Sequence, residues 1–200
     1  RGLGDVYKRQ HYNFPMRFTV GRDVFLDALS SAVKVLPTRS PIPILEAVYL
    51  RVEGERLEVR ATNMDISTRE WVLVADAEEG EVAVPGKKLY EFVSKVHEPS
   101  LRFSLRDTTL VFESPKSHSE FRGYPGDEYP IVPELPEAPE IRIPIDLFKK
   151  AISQVFFCAA KDDPRIFLTG LYLDVRPEEI RFVASDSTRM GLWRVPADTG

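Results

Sequence analysis

Few residues in this chain of 200 are placed to do covalent chemistry. Asp162 and Asp163 are adjacent and Asp186 follows, a set that could hold two divalent cations for phosphodiester hydrolysis. Adjacent aspartates point apart on most backbones, however, and no His or Glu stands at a supporting spacing. His97 and His118 have no Ser or Cys partner motif, and no glycine-rich loop is built to cradle a phosphate. The single cysteine, Cys158, stands among Phe156, Phe157 and Ala159, the setting of a buried small apolar side chain. The residues call for no metal and no cofactor.

Electrostatics is the other chemistry open to the chain. Its formal charge is −4, an acidic total that argues against indiscriminate nucleic-acid binding. The distribution is uneven. Lys87, Lys88 and Lys95 outweigh Glu91 on one helical segment, and Lys149 and Lys150 outweigh Asp146 on another. Together the helical segments carry +3, while the rest of the chain from Met16 onward carries −9. A cationic helical side on an acidic protein suits contact with phosphate on one side only. On charge alone, lysines that merely solubilise an exposed helix are the better fit.

Those lysines are positioned by three stretches of helical spacing. Asp23–Leu36 sets Val24, Phe25, Ala28, Leu29, Ala32 and Val33 on one stripe, with Asp23 as N-cap. Lys87–Val96 turns Leu89, Phe92, Val93 and Val96 inward, and Asp146–Phe157 does so with Phe148, Ala151, Ile152 and Val155. One-sided stripes predict helices lying on a sheet. Most of the remainder alternates with period two, and residues 48–52 and 57–61 read as a hairpin through Gly54. The fold class is α+β, with helices on one face of antiparallel sheets. Residues 129–144, with five prolines among acidic residues, read as an extended linker. No apolar run nears the roughly 18 residues of a membrane span, and one cysteine predicts a reducing, cytoplasmic setting. Residues 1–15 match none of this pattern and read as a non-native leader before Met16.

The pattern is written twice. Residues 18–70 recur at 141–193 with a constant offset of 123, including Asp23/Asp146, Phe25/Phe148, Pro41/Pro164, Leu45/Leu168, Tyr49/Tyr172, Leu50/Leu173, Val52/Val175 and Ala61/Ala184. A unit of this length used repeatedly predicts a modular ring or array, with the second copy cut short.

Residue motifs sharpen this. The runs Thr38-Arg39-Ser40-Pro41-Ile42-Pro43-Ile44-Leu45, Ala61-Thr62-Asn63-Met64-Asp65-Ile66 and Val84-Pro85-Gly86-Lys87-Lys88-Leu89-Tyr90 occur in that order. So do Gly123-Tyr124-Pro125-Gly126-Asp127-Glu128-Tyr129-Pro130, Leu168-Thr169-Gly170 and Ala184-Ser185-Asp186-Ser187-Thr188-Arg189-Met190. In order and spacing, from Met16 onward, the set resembles the bacterial DNA polymerase III β subunit family, the sliding clamps. The resemblance implies a clamp fold with an N-terminal domain over 16–138 and part of a middle domain over 139–200. It implies a longer chain of about three units, roughly 370 residues, paired into a homodimeric ring with helices lining the hole.

The implied function is non-catalytic: encircling double-stranded DNA without reading sequence, and tethering the polymerase III α subunit, the clamp loader and other clamp-binding proteins. By resemblance Arg39, Lys87 and Lys161 face DNA, with Lys149 and Lys150 on the same helical side. Leu168, Ser185, Ser187, Thr188, Arg189 and Met190 form the middle-domain wall of a groove for a short apolar peptide. Lys88, His118 and Phe121 fall where subunits meet. The chain departs from the family at Asp162, where others carry a neutral polar residue, and at Thr188 and Met190, where many read His and Leu. A repeat-built scaffold unrelated to DNA, or a nuclease using the three aspartates, is the alternative.

Overall fold

Alternating apolar residues become strands, and the three helical stripes become helices, throughout residues 16–132 and 141–197, the parts that the computed structural model describes. The chain divides into two units between Pro133 and Glu134. The expected leader, residues 1–15, and the middle of the expected linker lie outside the described residues.

The first unit begins with β1 (Arg17–Gly21), α1 (Arg22–Val35), β2 (Ala47–Glu53), β3 (Arg56–Thr62) and β4 (Ser67–Glu78). The same βαβββ order then repeats as β5 (Gly80–Pro85), α2 (Gly86–Lys95), β6 (Ser100–Arg106), β7 (Thr109–Ser114) and β8 (Ser117–Arg122), followed by the two-residue β9 (Tyr124–Pro125). All nine strands join one antiparallel sheet in the order β8-β7-β6-β1-β4-β3-β2-β5-β9. Each half lends its first strand to the other: β1 pairs with β6, and β5 pairs with β2.

Helix faces follow the 100° advance per residue. Phe25, Ala28, Leu29 and Ala32 of α1 are buried, whereas Val24, 100° round from Phe25, is 57% exposed. Val24 thus leaves the expected stripe. Nor is Asp23 the N-cap, because the helix starts one residue earlier. Gly21 occupies the cap with no side-chain bond, and Asp23 instead accepts from Arg22 Nη1 at 2.7 Å. The core between helices and sheet is aromatic: Phe103 stacks on Phe18 (5.3 Å between centroids) and meets Phe25 edge-on (5.8 Å). Such pairs add to the area term of burial.

Strands β8 and β9 lie at opposite ends of the hydrogen-bonded order, yet only Gly123 separates them in sequence. The sheet must therefore roll until its ends approach. Gly123 makes this possible: its N–H donates to Thr108 O at 2.9 Å, and a Cβ there would overlap the Ala83 carbonyl oxygen. The segment read as linker begins later than expected, because Tyr129 is part of this unit. Its hydroxyl accepts from Thr62 N (3.1 Å) and donates to Ala47 O (3.2 Å), and its ring stacks on Tyr49 at 5.3 Å. Burial pushes the Tyr129 phenol up to about 12, so it stays a neutral donor.

The second unit contains α3 (Ile145–Val155) and the antiparallel strands β10 (Tyr172–Arg176), β11 (Glu179–Ser185) and β12 (Met190–Pro196), in that sheet order. The offset of 123 holds in three dimensions. Arg22, which opens α1, becomes Ile145, which opens α3; the 3-10 turn Pro43–Glu46 becomes Ile166–Thr169; β3 becomes β11 residue for residue; and Ser67, which opens β4, becomes Met190. Ala151, Val155, Cys158, Ile180, Phe182, Ala184 and Val195 form its core. No described helix is long and apolar enough to cross a membrane.

Replacing Gly123 with Ala should destabilise the first unit by about 1–3 kcal/mol, the usual cost of overpacking. Urea unfolding should show a lower midpoint with an unchanged slope.

Candidate functional site

Lys87 and Lys88 lie in the first turn of α2, which has no acidic residue. Cations there oppose the helix dipole, an unfavourable term of a few tenths of a kcal/mol each. Helix stability therefore does not account for them. Gly86 lets this turn press against α1, since a Cβ at that position would overlap Leu36 and Val48. Lys87 Nζ then reaches across to donate to Pro37 O at 3.2 Å. Arg39 follows two residues on, exposed, in a loop held by Ser40 N to Glu46 Oε1 (3.0 Å) and Ile42 N to Ser40 Oγ (3.0 Å). The fold thus gathers Arg39 and Lys87 where α1 leaves and α2 enters.

In the second unit Lys149 and Lys150 are exposed on α3, and Lys161 is exposed in the loop after Cys158. Lys150 Nζ lies 5.7 Å from the centroid of Trp193, which restrains it through a cation–π contact.

Residues 185–190 form a turn that fastens itself. Ser185 Oγ donates to Arg189 O (3.0 Å) and accepts from Ser187 N (3.1 Å), while Asp186 Oδ1 accepts from the N–H groups of Thr188 (3.0 Å) and Arg189 (2.8 Å). The first unit carries the same turn 123 residues earlier. There Thr62 Oγ1 bonds Ile66 O and Met64 N, and Asn63 Oδ1 accepts from Asp65 N and Ile66 N. Met64 and Ser187 take the left-handed conformation at the same step, with φ of 78° and 73°. Ser185 and Asp186 therefore serve the turn itself, and the surface offered outward consists of Ser187, Thr188, Arg189 and Met190.

Met190 is 70% exposed, and Leu168, half-buried, accepts from Ala160 N at 2.9 Å. Arg189 donates to Asp186 Oδ2 at 2.9 Å and lies 5.8 Å from the Phe157 ring centroid. Phe157 is 61% exposed and Phe156 57%, so of this trio only Cys158 turns inward, packed toward Gly191 of β12. The tighter 3-10 turn over Phe156–Cys158 redirects the chain after α3. Phe157 went unnoticed as a surface residue, although its position in the first copy holds Lys34.

Two of the three aspartates, Asp163 and Asp186, are committed to arginine. Asp163 accepts from Arg165 at 3.0 Å, which holds its carboxyl at about 2. Asp186 is held below the usual range, first by the Arg189 N–H, then by Thr188. Among the described residues no three His, Cys, Asp or Glu gather as a metal site.

The residues expected at a subunit boundary do not share one character. Lys88 is exposed, and His118 is exposed on β8 between Glu113 (3.7 Å) and Glu120 (3.1 Å). Phe121, by contrast, is buried at 8% exposure and meets Phe92 edge-on at 5.3 Å. Its ring belongs to the core, because strand alternation sends it inward, and β8 offers its backbone and His118 instead.

The sequence matches two family profiles in succession: "DNA polymerase III beta subunit, N-terminal domain" over residues 16–133 and "DNA polymerase III beta subunit, central domain" over 142–200. The chain belongs to the DNA polymerase III beta subunit family. It is similar to the beta sliding clamp of Micrococcus luteus, 30% identical over 92% of this chain and 60% of that one. It is also similar to the Pseudomonas aeruginosa beta sliding clamp, 27% identical over 91% of this chain and 50% of the relative. Among solved structures, the Bacillus subtilis DNA polymerase sliding clamp superposes with a TM-score of 0.88 at 25% identity, covering 93% of this chain and 51% of that one. The chain spans about half the length of most of the beta-subunit relatives it matches.

Asp186→Ala should speed hydrogen exchange at the Thr188 and Arg189 amides about tenfold or more, whereas Asp186→Asn should largely preserve protection, as Asn63 does in the first copy. Because the Asp186 pKa is depressed on folding, the charged turn contributes fully above the ordinary carboxylate pKa of about 3.9. NMR should show the turn loosening only as the pH falls below that range.

Proposed function

We propose that the chain forms the N-terminal domain, over 16–138, and part of the middle domain, over 139–200, of a ring-shaped processivity factor. The ring encircles double-stranded DNA and tethers the replicative polymerase. What carries the reading is the match of both units to one clamp family, in order and register, combined with lysines that run against a helix dipole on an acidic protein. Such a ring performs no bond chemistry. It holds DNA by topology, and cations spread along helices attract the phosphate backbone weakly and without reading sequence. Weakness suits sliding, since several tight phosphate pairs would arrest it. Arg39, Lys87, Lys149, Lys150 and Lys161 are the DNA-side cations in this reading.

The turn at 185–190 is the middle-domain wall of the partner groove. Arg189 is braced by Asp186 and Phe157, and Leu168 and Met190 offer apolar surface, an arrangement suited to an extended peptide with a few large apolar side chains. Flexible Met190 accommodates varied anchors. The polymerase α subunit, the clamp loader and other clamp users are the partners, and the backbone edge of β8 with His118 and Lys88 meets the neighbouring subunit of a homodimer.

The deciding experiment loads the complete subunit, this chain extended to the length of its relatives, onto nicked circular DNA. Retention on the circle with release on linearisation is expected, and equal retention on both forms would defeat the ring. Arg39→Ala with Lys87→Ala should shorten residence on the circle. The pair should also reduce the salt slope of binding by about one per lost phosphate contact.

A second measurement addresses the groove. Met190→Asp should weaken binding of a polymerase-derived peptide about tenfold to a hundredfold in a fluorescence-anisotropy titration, the scale of a central anchor contact. An unchanged affinity would remove Met190 from the site.

A further inference from the structure

A sheet face turned away from its helices ordinarily keeps its charges in water. One carboxylate of the first unit does not. Along β3, Leu57, Val59 and Ala61 enter the core, so Arg56, Glu58 and Arg60 stand on the opposite face. Glu58 is nonetheless 0% exposed. Arg60 donates to its Oε1 from Nε (2.9 Å) and Nη2 (2.5 Å), and Arg69 of β4 brings Nε to 2.6 Å of the same oxygen. Arg51 of β2 and Trp71 of β4 lie directly across from it on either side. Both bonded guanidiniums also rest over rings, Arg60 over Tyr49 at 5.0 Å and Arg69 over Trp71 at 5.2 Å. The second carboxylate oxygen, Oε2, is buried with no hydrogen-bond partner.

Burying a carboxylate in this way is costly, and packing alone does not call for it. What it achieves is rigidity, because each guanidinium is held by a carboxylate and by an aromatic ring at once. The two are not held alike. Arg60 is 16% exposed and gives two nitrogens to Glu58. Arg69 is 42% exposed, and its two terminal nitrogens donate no hydrogen bond within the described residues. Charge on this part of the face is also unbalanced. Over the paired stretch of β2, β3 and β4, the outward positions hold Arg51, Arg56, Arg60 and Arg69 against Glu53 and Glu58. On β1 and β6, by contrast, Arg17, Arg102 and Arg106 each face an exposed carboxylate of their own, Glu78, Asp76 and Glu113.

We propose that Arg69, Trp71 and Leu73 of β4, steadied by Glu58, form a docking strip for an extended acidic segment of a partner protein. Trp71 is 42% exposed and Leu73 75%. Successive outward side chains of a strand are about 6.8 Å apart, the same spacing as alternate side chains of an extended peptide. A peptide carboxylate therefore meets the open fork of Arg69, and apolar side chains two and four residues on meet Trp71 and Leu73. Arg56, exposed and opposite Leu73, extends the attraction for acidic residues beyond them. The occupant is a peptide rather than a single nucleic-acid strand, because strand binding stacks successive bases on several aromatic rings. Here Arg69 already covers Trp71, and among the described residues no second exposed aromatic side chain shares this stretch of the face. Val72 and Val74 point from β4 into the core, so the strip lies on the side of the sheet away from α1 and α2. The inference is independent of any role on DNA.

The 200-residue chain with Trp193→Phe, which leaves Trp71 as its one tryptophan, tests the proposal by NMR of the indole N–H. The probe is an acetylated six-residue peptide, glutamate-threonine-leucine-threonine-leucine-glutamate. It should shift the indole resonance saturably, with a Kd below about 1 mM. Arg69→Glu and Leu73→Asp, both at exposed positions, should each weaken binding about tenfold or more with the circular dichroism unchanged. The same peptide with lysine in place of glutamate should leave the resonance where it is. Absence of a saturable shift overturns the proposal, as does equal binding of the lysine peptide. An oligothymidylate that moves the Trp71 resonance while the acidic peptide does not also overturns it, since the face would then be a nucleic-acid surface.

Discussion

A βαβββ half-unit cannot cover its own helix, and everything else in the first unit answers that constraint. Three consecutive strands and a helix leave an apolar edge and an apolar helix flank open. Two halves close both by lending each other a leading strand. Because β1 and β5 each feed directly into a helix, the exchange of strands also fixes where the helices lie. Phe18, Phe25 and Phe103 then fall into one aromatic cluster drawn from both halves. The roll of the sheet, the approach of its two ends at Gly123 and the anchoring of Tyr129 on Tyr49 are consequences of that arrangement.

Much of this was legible in the chain. The offset of 123 appeared because the two copies retain identical residues at core positions, such as Leu45 and Leu168 or Ala61 and Ala184. The helices were found within one residue or two, since their stripes are uninterrupted. The βαβββ duplication inside the first unit went unseen, because its halves share element order and strand register but few residue types. Periodicity tells which side of a strand is apolar; it does not say which strand lies beside it. Neighbour relations such as β1 with β6 are therefore absent from a linear reading.

The candidate site was legible in a similar, partial way. Motifs located Arg39, Lys87 and the turn at 185–190, but they could not separate side chains that sustain the turn from those that face outward. Ser185 and Asp186 spend their oxygens on the local backbone, as Thr62 and Asn63 do in the other copy. Phe121 was placed by resemblance at a subunit boundary, but on β8 alternation sends its ring into the core. Apolar flanks point to a buried Cys158, and it is buried, but the flanking Phe156 and Phe157 are themselves exposed, because a three-residue turn points successive side chains in different directions. Lysines in the first turn of α2 carry an unfavourable dipole term that packing does not explain.

Cys158 is the chain's only cysteine, and its sulfur is sealed between α3 and Gly191 of β12. No thiol in the first unit competes with it. The rate at which an alkylating reagent reaches that sulfur is therefore a private clock for the breathing of the second unit, readable without any label and blind to whatever the first unit is doing.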